Sequence, residues 1–148
     1  LLNEVYENIK TYGVGDHKHI AEINQELTIF NENKNVEVFF SANLIPVERG
    51  ILSNIYINPI SVSGEEIHHI LFDRFKNETF IQILPLNEIP TTKEVVGTNN
   101  LIIGVKKGYK NDTICIVSVL DNLVKGAAGQ AMQNFNLMNT INEETVLV

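Results

Sequence analysis

The apolar positions of this chain follow two rhythms. Ile20, Ile23, Leu27 and Phe30 recur at three and four residues, the spacing that stacks side chains on one helical stripe, so a helix with a buried stripe is expected over residues 17–30. Asp16 stands before it, at the place of an N-cap acceptor. Ile67, Ile70, Leu71 and Phe75 repeat the rhythm behind Ser63 and Glu66, the two ends of a reciprocal capping box, which predicts a second helix running to about Lys76. A third is expected over 121–139, where Leu123, Val124, Ala127, Ala128, Ala131, Met132, Phe135 and Met138 form a long stripe. Gly126 and Gly129 each cost such a helix about 1 kcal/mol against Ala, so something has to approach its backbone closely.

Shorter runs read as strands. Residues 8–14 alternate and end at Gly15, residues 36–44 alternate Val36, Val38 and Phe40 with Glu37 and Phe39, and residues 51–57 are rich in β-branched and aromatic side chains. Further strands are expected at 80–84, 94–96, 101–105 and 113–119, set off by Pro85, Pro90, Gly97 and the turn-forming residues 108–112, the last two as a hairpin. Between the strands at 36–44 and 51–57 lies a polar loop carrying Arg49. About six strands and three helices with short connections predict an α+β fold, a mostly antiparallel sheet with helices on one face. The βαβα alternation of a dinucleotide-binding fold is missing, as is a GxGxxG loop.

Composition narrows the function. With 148 residues the chain is expected to form one domain, 1–148, and its first residues, Leu1-Leu2 without an initiator Met, suggest a piece of a longer protein. A formal charge of -7 leaves no broad basic surface for nucleic-acid phosphates. The lone Cys115, within an apolar strand, is expected to be a buried, inert thiol, and its isolation fits a reducing, cytoplasmic setting. Apolar runs fall far short of the roughly 20 residues that cross a bilayer, so no membrane partner is expected.

The densest chemistry is Tyr12-Gly13-Val14-Gly15-Asp16-His17-Lys18-His19, with Glu22 beyond it. Two histidines one residue apart at a loop-to-helix junction suit acid/base work near neutral pH, suit a metal, or simply fill an early helical turn; spacing alone leaves these open. Arg49 either clamps a carboxylate or phosphate with its bidentate fork or joins a surface ion pair with Glu48 or another carboxylate. Asn122 and Lys125 open the third helix, where backbone N–H groups attract an anion or the side chains simply cap. Lys106, Lys107 and Lys110 read as a solvated hairpin tip.

Three blocks carry more than composition does. The stretches NIKTYGVGDHKHIAEI at 8–23, LIPVERGIL at 44–52 and DNLVKGAAGQA at 121–131, followed by Gln133-Asn134 and Asn136-Leu137-Met138, resemble N-acetyl-gamma-glutamyl-phosphate reductase in order and approximate spacing across essentially the whole chain. The family's first block usually reads HxHTPEI, so Ile20 and Ala21 depart from it while both histidines stay. The resemblance implies an arginine-biosynthesis enzyme that uses NADPH to reduce an acyl phosphate to a semialdehyde. Its implied architecture is similar to that of glyceraldehyde-3-phosphate dehydrogenase and aspartate-semialdehyde dehydrogenase, with this chain as most of the C-terminal catalytic and dimerisation domain. NADP would be bound mainly by a nucleotide-binding domain outside the chain. The implied nucleophilic Cys lies upstream in an Asn-Pro-Gly-Cys segment that the chain lacks, so Cys115 is not that residue. His17 matches the catalytic general base. By the same resemblance His19, Arg49 and Tyr12 are substrate-binding candidates, with a buried, satisfied ring as the alternative for Tyr12. Asn122 faces the nicotinamide, and Gly126 and Gly129 pack against the cofactor domain. No metal is implied. The implied partners are N-acetylglutamyl phosphate and further copies of the chain, as a dimer or tetramer. The alternative is a non-catalytic dimerisation or binding module of the same fold.

Overall fold

A computed structural model describes residues 7–31, 36–59, 61–108 and 113–147. The chain divides into two units, Leu1–Glu48 and Arg49–Val148.

In the first unit, strand β1 (Lys10–Tyr12) pairs antiparallel with β2 (Ala42–Leu44), Thr11 opposite Asn43, and the Thr11 hydroxyl donates to Asn43 Oδ1 at 2.7 Å. Between them runs helix α1 (His19–Phe30). Asp16 does not cap it: Lys18 occupies the cap position without a side-chain bond. The expected buried stripe is also not buried, because Ile20 and Ile23 are only half-covered and Phe30 is 83% exposed. A two-stranded ribbon offers too little surface to cover a twelve-residue helix. Only 42–44 of the expected strand at 36–44 pairs; the alternation at Val36, Val38 and Phe40 has no ladder partner among the described residues.

The second unit holds a four-stranded sheet in the order β3-β6-β5-β4, from β3 (Ile51–Ile57), β4 (Ile81–Ile83), β5 (Leu101–Lys107) and β6 (Ile114–Leu120). The β3–β6 and β6–β5 pairs are antiparallel and β5–β4 is parallel, which matches the expected mostly antiparallel α+β sheet. The β5–β6 hairpin forms as expected, with Gly108 N–H donating to Thr113 O at 2.9 Å; the tip residue Lys110 lies outside the described residues. Helix α2 (Gly64–Phe75) begins at its capping box, Ser63 Oγ accepting from Glu66 N–H at 3.1 Å and Glu66 Oε2 from Ser63 N–H at 2.8 Å. It packs on β4 and β5, and His68 Nε2 reaches Leu84 O at 2.8 Å. Leu84, Val95, Ile102 and Val119 form the buried centre.

Two expectations fail here. Residues 94–96 are not a strand: Thr92–Glu94 make a 3₁₀ turn after Pro90, with Glu94 Oε2 accepting the N–H and hydroxyl of Thr91. The third helix is not uniform either. Val124–Ala128 form a π turn, with Gly126 N–H bonded to Asp121 O and Ala128 N–H to Leu123 O, before α3 (Gly129–Met138) begins.

Candidate active site

His17 sits where the local sequence has no room for a side chain opposite it. Gly13 takes φ +59, and a Cβ there would lie 2.6 Å from His17 Cδ2 and 2.9 Å from His17 Cβ. The imidazole fills that space, with ring centroids 5.5 Å from Tyr12, 4.9 Å from Phe40 and 4.7 Å from His19. Phe40 is held by its own carbonyl, which accepts from Gly15 N–H at 3.1 Å. His17 also performs the capping that Asp16 was expected to provide: its Nδ1 accepts the His19 backbone N–H at 3.2 Å. A neutral imidazole that accepts at Nδ1 carries its proton on Nε2, so the ring's remaining nitrogen is a donor. Tyr12, His17 and His19 are therefore brought together in the first unit. Tyr12 is 41% exposed rather than a buried ring.

In the second unit Arg49 forms no surface pair. Its Nε lies 3.2 Å from Oδ2 of Asp121, whose side chain is 0% exposed, although the N–H is not aligned for a hydrogen bond. Asp121 Oδ2 also accepts Gly97 N–H at 2.7 Å, while Oδ1 accepts Leu123 N–H at 2.7 Å and Val124 N–H at 3.1 Å. Burial pushes the Asp121 carboxyl up, but those three N–H groups and the Arg49 guanidinium outweigh it and hold the group below the usual carboxylate range. Asn122 Oδ1 accepts Gly50 N–H at 2.7 Å, so the amide oxygen is committed inside the unit and the amide NH₂ remains as a donor.

Lys125 is drawn into its own unit. Its Nζ donates to Gln133 Oε1 at 2.8 Å and lies 5.4 Å from the centre of the Phe80 ring, and burial pulls its pKa down against the opposing pull of Glu143 and Glu78. The close neighbour that Gly129 demands belongs to the same unit: a Cβ there would run into Asn99 Oδ1 and lie 2.8 Å from Val124 Cγ1. Cys115 is half-covered rather than fully buried, and burial raises its thiol pKa against the lowering effect of a Tyr56 hydrogen bond, as for an unreactive thiol. Among the described residues no three His, Cys, Asp or Glu side chains cluster as a metal site, and no helix is long and apolar enough to cross a membrane. Sequence reasoning missed Gly13 as the seat of His17 and Asp121 as the partner of Arg49. The Gly13–Gly15 pair and the adjacency of Asp121 to Asn122 were the available signals.

The α+β fold of this chain is shared with part of solved aspartate semialdehyde dehydrogenases. Aspartate semialdehyde dehydrogenase from Francisella tularensis superposes with a TM-score of 0.68 at 19% identity, covering 91% of this chain and 40% of that one. The Vibrio cholerae aspartate semialdehyde dehydrogenase II gives 0.63 at 22% identity, covering 83% and 37%. The chain belongs to the family "Semialdehyde dehydrogenase, dimerisation domain", which it matches over residues 1–122. Among curated proteins it is 43% identical over 146 residues to N-acetyl-gamma-glutamyl-phosphate reductase of Staphylococcus saprophyticus, and 43% identical over 148 residues to that of Ehrlichia canis. It spans 98% and 99% of its own length in these matches but 42% of each relative's.

Proposed function

We propose that this domain is the catalytic and dimerisation part of an NADPH-dependent reductase of arginine biosynthesis, one that converts N-acetyl-gamma-glutamyl phosphate to N-acetylglutamate semialdehyde. In this reading residues 1–148 form one functional domain, and the nucleotide-binding domain and nucleophilic cysteine lie on other parts of the polypeptide. The observation that carries it is the 43% identity, over nearly the whole chain, to reductases of that name. When bound, the reduced nicotinamide supplies the hydride.

Residues of this chain bind, orient and handle the proton. His17 is the catalytic residue. It serves as the general base, and in this structure its Nδ1 accepts the His19 N–H. Taking a second proton at Nδ1 requires release of that N–H, so the acid/base cycle of His17 is coupled to the first turn of α1. Arg49, His19 and Tyr12 are substrate-binding residues, Arg49 as an anion contact, and Asn122 is the residue that would face the nicotinamide. The working enzyme is a cytoplasmic homo-oligomer, a dimer or tetramer. The self-association is supported by the family's description and by the apolar Ile51, Leu52, Ile55 and Tyr56 on β3, each 45% or more exposed.

His17→Asn in the reductase that carries this domain tests the reading. Acyl-phosphate-dependent NADPH oxidation should fall by about 100- to 10,000-fold with little change in thermal stability. A variant with near-normal kcat overturns the assignment.

A further inference from the structure

Arg49 and Asp121 are 72 residues apart in sequence and meet at the corner between β6 and the π turn. The contact joins the two ends of the guanidinium to different surroundings. Nε is buried against the Asp121 carboxylate without a hydrogen bond, whereas the side chain as a whole is 36% exposed. The carboxylate cannot swing to follow the arginine, because three backbone N–H groups from Gly97, Leu123 and Val124 already fix both of its oxygens. One residue along, Asn122 Oδ1 fixes the backbone of Gly50, the residue after Arg49. The Asp121-Asn122 corner therefore grips the arginine loop twice, once at the side chain and once at the main chain.

We propose that Asp121 is a positioning residue: it anchors the Arg49 guanidinium at Nε so that the two outer nitrogens present a fixed pair of donors to a substrate oxyanion, a carboxylate or a phosphate. A free arginine loses rotamer freedom on binding an anion, whereas one held at Nε has already lost it, so the anchored fork binds more tightly and with a defined direction. This rests on the reading of Arg49 as a substrate anion contact given above, and it adds what makes that contact specific.

The chain has two arginines, so its arginine side-chain Nε–Hε spectrum holds two signals, and Arg74, on an exposed helix face beside Glu78, is the internal reference. In the isotope-labelled full chain, burial of Arg49 Nε against the Asp121 carboxylate, without an aligned hydrogen bond, should make Arg49 Hε exchange with water about tenfold more slowly than the exposed Arg74 Hε. Titration with inorganic phosphate, and separately with acetate, should move the Arg49 signal and leave Arg74 in place; the stronger responder identifies the class of oxyanion. In Asp121→Asn, which keeps a carbonyl oxygen for the Leu123 and Val124 N–H groups, those two amides should stay protected. Arg49 Hε exchange should rise to the Arg74 rate, and the phosphate midpoint should rise about tenfold. If Asp121→Asn leaves Arg49 exchange and the midpoint unchanged, the positioning role is overturned and the anion reading stands. If Arg49 is protected through Asp121 but neither anion moves it, the anchor is supported and the anion reading fails. Should Asp121→Asn not fold, the unsubstituted chain still decides: equal exchange at Arg49 and Arg74 overturns the proposal.

Discussion

Replacing Gly13 by Ala tests how His17 is held. Two costs add at that position. The backbone stands at φ +59, which costs a residue with a Cβ about 1–2 kcal/mol. The new methyl would also lie 2.6 Å from His17 Cδ2 and 2.9 Å from His17 Cβ, about an ångström inside ordinary carbon contact, so the imidazole has to move or the loop has to open at a further cost of about 1–3 kcal/mol. Either response lengthens the 3.2 Å bond from His19 N–H to His17 Nδ1, which has no slack. Gly15→Ala separates the two costs, since Gly15 has a similar φ of +75 but its Cβ would meet only Phe39, at 3.8 Å. Chemical denaturation followed by the tyrosine signal, together with the ring resonances of His17, should show Gly13→Ala to be the more destabilising by about 1–3 kcal/mol. It should also displace the His17 ring signals, which Gly15→Ala leaves in place. Equal destabilisation by the two variants with an unmoved His17 spectrum would refute the reasoning.

Three further outcomes are expected. The Asp121 carboxyl has a depressed folded pKa, so its contribution to stability is full above its ordinary value near 3.8 and is lost as pH falls below it. Denaturant midpoints measured from pH 6 to pH 3 should drop in that acid window, and by less in Asp121→Asn; parallel curves for the two proteins would contradict this. Gly129→Ala should destabilise by about 1–3 kcal/mol through collision with Asn99 and Val124. Gly126→Ala, whose nearest neighbour is Leu120 Cδ1 at 3.3 Å, should be neutral or stabilise by up to about 1 kcal/mol, and melting curves of the pair check the contrast. Ser63→Ala removes half of a capping box and should cost about 1 kcal/mol, read as a lower denaturation midpoint.

What the sequence made legible was local. The α2 start was readable because Ser63 and Glu66 satisfy each other three residues apart, and the β5–β6 hairpin because its strands are neighbours in the chain. The same logic was available at Thr91 and Glu94, a T-x-x-E spacing that marks the 3₁₀ turn and that the β-branched Val95 and Val96 obscured. The strand at 36–44 failed for the opposite reason: alternation records only that a segment is able to pair, and pairing depends on a distant partner. Among the candidate residues, His17 and Arg49 stood out by residue type and neighbours. The Arg49–Asp121 contact did not, because 72 residues separate the partners and no periodicity links them. The π turn and the start of α3 had Gly126 and Gly129 as their trace, and the residue crowding Gly129, Asn99, lies in the loop before β5.

The π turn also says something about how the length of this chain can change. Its upstream end is pinned by the Asp121 carboxylate on the Leu123 and Val124 N–H groups, and its downstream end by Gly129 pressed onto Asn99. Between those fixed ends, residues 124–128 close rings five residues long where an α-helix closes them with four. One residue there is surplus to the connection. A single deletion within 124–128 lets an ordinary helical turn join the same two ends, leaving Asp121 and Gly129 in place. A single deletion within Gly129–Met138 has no such reserve: every later side chain turns by about 100°, and Asn136, 2% exposed and bonded through Nδ2 to the carbonyls of Glu143 and Thr145, leaves its partners. Tolerance to deletion in this helix is therefore confined to its first five residues.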